Sequence, residues 1–248
     1  MTRPTTLLSA EAPLILHLPR TPRGNAAAPT RLHFLRIKRV CDVISSIVIL
    51  AITSPFILLA MALVRLTSRG PAIYTQKRVG MHGREFVIYK IRTMRADAEE
   101  QGPRWCLPHD HRVTLVGRLL RKSHLDELPQ LWNVLIGEMS LIGPRPERPE
   151  FMPKLRAFVP DYDSRHQVLP GITGLAQVQV DADTDVQNVA RKLSYDLYYI
   201  GHQGMSLELR ILACTVLKLF GVPLPALRSL LNLNVDRIPA LAAWRQAA

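Results

Sequence analysis

The stretch from Arg121 to Asn133 places two adjacent carboxylates, Asp126 and Glu127, shortly after Arg121 and Lys122. Pro129 is tolerated in a helix only near its start, so a helix is expected to open around Asp126. With Asp126 as its N-cap, Pro129 takes the third helical position, where no intrahelical donor is lost. Carboxylates at the positive end of a helix dipole stay ionised, the form required of a nucleophile or a metal ligand. The same place draws a phosphate, provided a cation offsets the repulsion between the two anions. Asp126 reads equally as a plain helix cap, with Glu127 adding first-turn stabilisation. These residues alone leave both uses open.

A second block sets Arg145 between Pro144 and Pro146, which restrict Gly143 and Arg145 to extended backbone. A guanidinium held that way suits bidentate phosphate recognition; a solvated surface turn has the same sequence. From Arg65 to Lys122 there are 13 Lys and Arg against five acids. Among them Lys90, Arg92 and Arg95 follow one apolar run, and Arg112, Arg118 and Arg121 recur near helical spacing. Asp42 is a lone acid at the lip of a long apolar segment, with Lys38 or Arg39 as its expected partner. His109 and His111 invite a metal-pair reading, but the eight histidines show no metal-ligand spacing and a polar loop fits better.

These groups need elements to hold them. Residues 1–34 are rich in proline, with Pro4, Pro13, Pro19, Pro22 and Pro29, and are expected to be a disordered extension. Residues 35–69 contain the 22 uncharged positions Val43–Val64, long enough to span a bilayer. Ser54-Pro55 at their middle and basic residues at both ends argue for a helix that bends and returns to the same face. An ordinary kinked span is the alternative, and in either case the hydroxyls of Ser46, Thr53 and Ser54 are candidates for the freed carbonyls. Ala72–Val79 and Phe86–Ile91 around Gly80-Met-His-Gly83 predict a β-hairpin. Helices are expected over Thr114–Arg121, Glu127–Ile136, Arg148–Phe158, Val186–Ile200 and Ser206–Leu219, and a short strand over Leu175–Val180. The fold class is therefore α+β and helix-dominated, with residues 70–225 as a catalytic domain bearing interfacial helices and 226–248 as a tail.

The ordered set of motifs carries a family likeness. Lys38-Arg39 with Asp42, Ser54-Pro55, Gly70-Pro71 followed by Gln76, Arg78 and Gly80, and Tyr89-Lys-Ile-Arg-Thr-Met94 come first. Leu125-Asp-Glu-Leu-Pro-Gln-Leu-Trp-Asn-Val134, the Gly143-Pro-Arg-Pro146 block and Pro170-Gly-Ile-Thr-Gly174 follow. Together they resemble the bacterial sugar transferases, the monotopic polyprenyl-phosphate phosphoglycosyltransferases, from about residue 35 to about 220. The likeness implies a Mg²⁺-dependent enzyme of the bacterial inner membrane, its catalytic domain on the cytoplasmic face and its re-entrant helix broken at Ser54 and Pro55. It implies transfer of a phospho-sugar from a UDP-sugar, here with a lean toward UDP-hexose, to undecaprenyl or another polyprenyl phosphate. The product would start an exopolysaccharide or O-antigen-type glycan. Asp126 would be the nucleophile of a covalent phospho-sugar intermediate, with Glu127 as its metal or acid–base partner and both near Mg²⁺. Arg145 would meet the donor's phosphate or nucleotide, and Lys38, Arg39, Asp42, Lys90 and Arg92 would line the membrane-facing side, with Arg78 and Arg121 as further substrate contacts. Further partners would be membrane lipid and a second copy of the chain or other glycan-assembly enzymes. Cys41 and Ile91 depart from the aromatic residues common at those positions, which bears on packing more than on catalysis.

The composition limits the competing readings. A net charge of +12 with 48% hydrophobic residues excludes global disorder and points to an anionic partner. Nucleic acid is disfavoured, because aromatics make up only 6% and no reader motif is present. Three scattered cysteines exclude a disulfide scaffold. An inert membrane scaffold is the remaining competitor, and the intact Asp126-Glu127 pair argues against it.

Overall fold

A computed structural model describes residues 28–100, 102, 110–180, 186–230 and 232–233. The chain opens with α1 (Ala28–Thr67), a single helix of 40 residues. It begins seven residues before the expected boundary at 35, and Pro29 sits in its first turn, where the missing N–H costs nothing. Most of the expected extension lies outside the described residues. Helical backbone continues through Pro55. Proline cannot donate to the carbonyl of Ala51, and the Ser54 hydroxyl donates to that oxygen instead, at 3.0 Å. Thr53 donates to the Ile49 carbonyl at 2.7 Å. Ser46, the third expected hydroxyl, is fully buried and makes no such bond.

One stripe of α1 is covered along almost its whole length: Lys38, Asp42, Ser46, Ile49, Ile57, Ala60, Met61 and Val64 recur at helical spacing against the body. The opposite face leaves Val40, Ile44, Ile47, Ile52, Leu59 and Leu63 exposed.

Strands β1 (Ile73–Val79) and β2 (Glu85–Ile91) form the expected antiparallel hairpin, with Ile73 opposite Ile91 and Val79 opposite Glu85. Next come α2 (Leu115–Lys122), capped by the Thr114 hydroxyl accepting from the Gly117 N–H, and α3 (Leu131–Ile136). Between them Leu125–Gln130 forms 3₁₀ turns. Strand β3 (Ser140–Ile142), α4 (Met152–Phe158) and β4 (Gly171–Thr173) follow, then α5 (Val186–Gly201), α6 (Met205–Leu219) and α7 (Leu224–Leu230).

Two expectations change here. Residues 175–180, expected as a strand, are consecutive turns closed by Val178 N–H to Gly174 O and Val180 N–H to Ala176 O. The strand lies just before them, where β4 pairs in parallel with β3. The expected tail from 226 also fails at its start, since Leu227 and Leu233 are buried in the main core. His109 and Cys106 lie outside the described residues.

The main core joins the hairpin, α3, β3, α4, α5 and α6 around Ile88, Val134, Met139, Tyr195 and Ile211. A smaller core packs Ala60 and Val64 of α1 against Ala72, Ile91 and Leu120, with Leu125 at its margin. The apolar helix therefore sits one residue behind Asp126.

Candidate active site

The turn that carries the carboxylates is set by His124, whose backbone is left-handed at φ 55°. His124, not Asp126, precedes the first turn, and it makes no side-chain cap. Asp126 is thus inside the turn and not at the N-cap, and its carboxylate bonds its own backbone N–H. The carboxylate is buried, and no side-chain donor among the described residues hydrogen-bonds it. Burial and the neighbouring Glu127 push its pKa up to about 6, against the opposing pull of Lys90 and Arg121.

Glu127 is arranged the other way. Its Oε1 accepts from Lys90 Nζ at 2.7 Å and from Arg145 Nη2 at 2.6 Å. Burial alone would raise its pKa, but these two cations outweigh it and hold the group well below the usual carboxylate range. Lys90 is lowered by burial, with Glu127 opposing. Glu127 is thus the ionised anchor of two cations, while the Asp126 carboxylate beside it bonds no side chain among the described residues.

Arg145 is positioned by its own backbone. The carbonyl of Pro144 accepts from the Gly171 N–H at 2.9 Å, and that of Arg145 from Arg165 Nη2 at 2.8 Å. The carbonyl of Pro146 accepts from Arg78 Nη1 at 3.0 Å, and that of Glu147 from the Val79 N–H at 2.8 Å. Four consecutive carbonyls are held by three different segments, so the guanidinium starts from a fixed backbone. Its side chain keeps 42% exposure, enough to meet a ligand.

The remaining predicted residues divide. Lys90 and Arg145 converge on the carboxylates, and Arg121 adds charge near Asp126 while its Nε donates to Thr93 at 2.8 Å. Arg78 is a support: burial lowers it to about 10, and it spends itself on Pro146 and Gln76. Arg92 does not face the site. Its guanidinium donates to the carbonyls of Ser68 and Arg69 and so closes the C-terminus of α1. Arg39 does the same for α3 through the carbonyls of Val134 and Leu135. Lys38 bonds Glu208, and Asp42 accepts from the Ser140 hydroxyl at 2.7 Å, so this trio docks α1 onto β3, α3 and α6. The physical reason is common to all: a buried charge needs a partner, and helix ends or facing side chains supply it here.

Sequence reasoning missed Arg165, Glu208 and Tyr199. Tyr199 donates to Glu208 at 2.7 Å, and the buried Asp196 sits 2.7 Å from Arg165. For Glu208 and Tyr199 the only sequence signal is polarity inside apolar helices, and Arg165, in the polar segment Tyr162–Gln167, has none.

Asp126 suits a magnesium ion, which takes one or two carboxylates and fills the rest of its shell with water and substrate phosphates. Glu127 fits only by releasing Lys90 or Arg145. Among the described residues no three His, Cys, Asp or Glu side chains gather around one point.

A buried carboxylate without a side-chain partner, flanked by fixed cations, suits phosphoryl chemistry. A family model described as bacterial sugar transferase matches residues 33–222. The chain belongs to the bacterial sugar transferase family. A UDP-N-acetylgalactosamine-undecaprenyl-phosphate N-acetylgalactosaminephosphotransferase from Aeromonas hydrophila is 41% identical over 180 residues, 73% of this chain and 43% of that protein. A UDP-glucose:undecaprenyl-phosphate glucose-1-phosphate transferase from Klebsiella pneumoniae is 40% identical, covering 74% of this chain and 40% of its own length. The exopolysaccharide production protein PSS of Rhizobium leguminosarum bv. phaseoli is 38% identical, covering 73% of this chain and 94% of its own. This sugar transferase thus spans about two-fifths of the first two relatives. All of the site residues described above fall within the family match.

Proposed function

We propose that the chain is a membrane-bound sugar-1-phosphate transferase. It would move a phospho-sugar from a UDP-sugar, a UDP-hexose by preference, to undecaprenyl phosphate at the start of exopolysaccharide or O-antigen-type assembly. The observation that carries this reading is the division between Asp126, buried and bonded to no side chain, and Glu127, locked to Lys90 and Arg145.

In the first step an Asp126 oxygen attacks the sugar-bearing phosphorus, the bond from that phosphorus to the bridging oxygen breaks, and UMP leaves with the bond's electron pair. In the second, an oxygen of the polyprenyl phosphate attacks the same phosphorus and the aspartyl oxygen departs, regenerating the carboxylate. No net proton is consumed when both phosphates enter ionised. A carboxylate approaching a diphosphate must overcome repulsion between anions, and Arg145 and Lys90 supply fixed positive charge there. A magnesium ion held at Asp126 would supply positive charge to offset that of the diphosphate under attack and of the departing UMP. A covalent intermediate lets a soluble and a lipid substrate use one site in turn.

The docking of α1 supports a one-sided membrane attachment. A span leaves about 20 consecutive residues within lipid, away from any body outside it. On α1 the contacts with the body resume after the short interval between Leu50 and Ile57, with apolar side chains exposed on the other face. This favours attachment to the cytoplasmic face of the inner membrane by a helix that does not cross it.

The test is product formation by the full chain in lipid nanodiscs with undecaprenyl phosphate, Mg²⁺ and a UDP-sugar panel. UMP release and lipid-linked sugar are expected with one donor, lost on chelation and reduced about 10³-fold or more in Asp126→Asn. Undiminished turnover of Asp126→Asn would remove the nucleophile assigned here.

A further inference from the structure

Arg165 is a buried cation that takes no direct part in the site. Only 7% of its side chain is exposed, and its Nη2 stands 2.7 Å from the carboxylate of Asp196 on α5. Glu147 supplies a second carboxylate at 4.0 Å. Nη1 donates to the Tyr162 hydroxyl, and the guanidinium lies 5.1 Å from the centre of the Tyr162 ring. A buried ion pair is weak support for a fold, since packed apolar side chains of similar volume often stabilise as much or more. What such a pair does supply is a charged group held in one direction. Here that direction is the carbonyl of Arg145, which accepts from Nη2 at 2.8 Å.

The Arg145 carbonyl is the one that matters for the guanidinium of that residue. Pro144 and Pro146 lock their own φ, so the soft torsions between them are those of Arg145. The peptide bearing this carbonyl turns with the ψ of Arg145. Pinning the oxygen therefore limits where the Arg145 side chain leaves the backbone. From there the side chain reaches Glu127, 2.6 Å from its Nη2.

We propose that Arg165, braced by Asp196, is a positioning residue that sets the backbone from which Arg145 reaches the donor's phosphates. The proposal rests on the donor being a UDP-sugar with its phosphates at Arg145, as inferred above. The whole effect of Arg165 on the reaction then passes through Arg145. Its fork is needed for this, because Nη2 meets both Asp196 and the Arg145 carbonyl while Nη1 holds Tyr162. A lysine ammonium is a point charge without that geometry. Arg165→Lys therefore keeps a cation beside the buried Asp196 but loses the brace.

The experiment is a double-mutant cycle of Arg165→Lys and Arg145→Met, each variant as the full chain in nanodiscs. Lipid-linked product is followed with UDP-glucose and UDP-N-acetylgalactosamine, binding of inorganic pyrophosphate with Mg²⁺ is titrated calorimetrically, and Tm is recorded beside them. Arg165→Lys is expected to lower kcat/KM about tenfold, through KM and kcat together, with Tm down by only about 3 °C. Its Kd for pyrophosphate should rise about fivefold. Arg145→Met alone should lose about 100-fold in kcat/KM. The double variant should match Arg145→Met within about twofold in both readouts, since nothing is left to position. A merely structural role would instead add its loss to that of Arg145→Met. Should Arg165→Lys melt early, Asp196→Asn takes its place in the cycle, with an expected loss of about fivefold that Arg145→Met abolishes.

Turnover with additive losses overturns the proposal and leaves the reaction standing, as does a folded Arg165→Lys with wild-type constants. An Arg145→Met that behaves as the wild type also overturns it, by removing the residue to be positioned. If neither sugar gives product, the cycle is read on pyrophosphate alone. Coupled losses of binding then keep the brace and remove the reaction, and additive losses overturn the brace. A wild type that neither forms product nor binds pyrophosphate overturns both.

Discussion

A carboxylate moved from water into a buried site loses solvation, and the one bond Asp126 accepts, from its own backbone N–H, does not make up for it. Burial and Glu127 push its carboxyl up to about 6 from the ordinary 3.8, so ionisation opposes folding. The protonated form contributes its full stability below about pH 3.8, and that contribution is lost as pH rises through 6. At pH 7.5 the cost is at most about 3 kcal/mol. Asp126→Asn, which cannot ionise, should therefore melt several degrees higher than the wild type at pH 7.5. Near pH 4 the gap should close, because the wild-type carboxyl is then protonated too. Melting curves in nanodiscs at both pH values check this, and an equal or lower Tm for the variant at pH 7.5 contradicts it. The same titration predicts that kcat/KM for the donor falls about tenfold per pH unit below 6. A flat profile down to pH 5 would show that the ionised Asp126 does not limit the reaction. Glu127 adds no step in that range, since Arg145 and Lys90 keep it ionised.

At the scale of elements, the decisive contact is between two motifs far apart in the chain. Gly143 N–H donates to the Thr173 carbonyl, and Gly171 N–H to the Pro144 carbonyl, both at 2.9 Å. These bonds bring the backbones so close that a Cβ on Gly171 would strike the Gly143 backbone, and one on Gly143 would strike the carbonyl of Leu169. The glycines are there for close approach, which is what lets β4 hold the start of the Arg145 segment. Gly171→Ala is predicted to displace that segment, lowering activity at least tenfold and Tm by several degrees. Wild-type activity and Tm in this variant would mean that the loop does not depend on the β3–β4 pair. The same scale explains Arg92 and Arg39. A cation near a phosphate site and a cation closing a helix look alike in sequence, and only the fold reveals which carbonyls lie within reach.

Across the whole molecule, α1 ties a long exposed apolar face to the turn that carries Asp126. Its C-terminal half shares a small core with Leu125, and its N-terminal half is tied down by Lys38, Arg39 and Asp42. Displacing the helix in lipid would act directly on the turn that carries Asp126. Further apolar side chains are exposed at Leu115 and Leu119 of α2, Trp132 and Ile136 of α3, and Leu219 and Phe220 at the end of α6. These are candidates for contact with lipid. If attachment is one-sided, both ends of α1 share a compartment. With the native cysteines replaced, Arg31→Cys and Thr67→Cys should each react with a membrane-impermeant maleimide in inverted vesicles and stay unreactive in spheroplasts. Labelling of the two positions from opposite sides would establish a span.

What the sequence determined by itself was local or cumulative. The apolar run, the hairpin around Gly80–Gly83 and the Asp126-Glu127 pair follow from periodicity and residue type, whereas the break expected at Ser54-Pro55 gives way to a continuous helix. The ordered motifs also sufficed for the family. Tertiary structure decided which carboxylate is engaged and which cations serve the site, because burial and pairing are set by groups distant in sequence. Lys90 lies 37 positions from Glu127 and Arg145 lies 18 from it, while Lys38 finds its partner 170 positions away. It also decided that residues 171–173, and not 175–180, form a strand, since a three-residue strand has no periodicity to read and exists only through its partner.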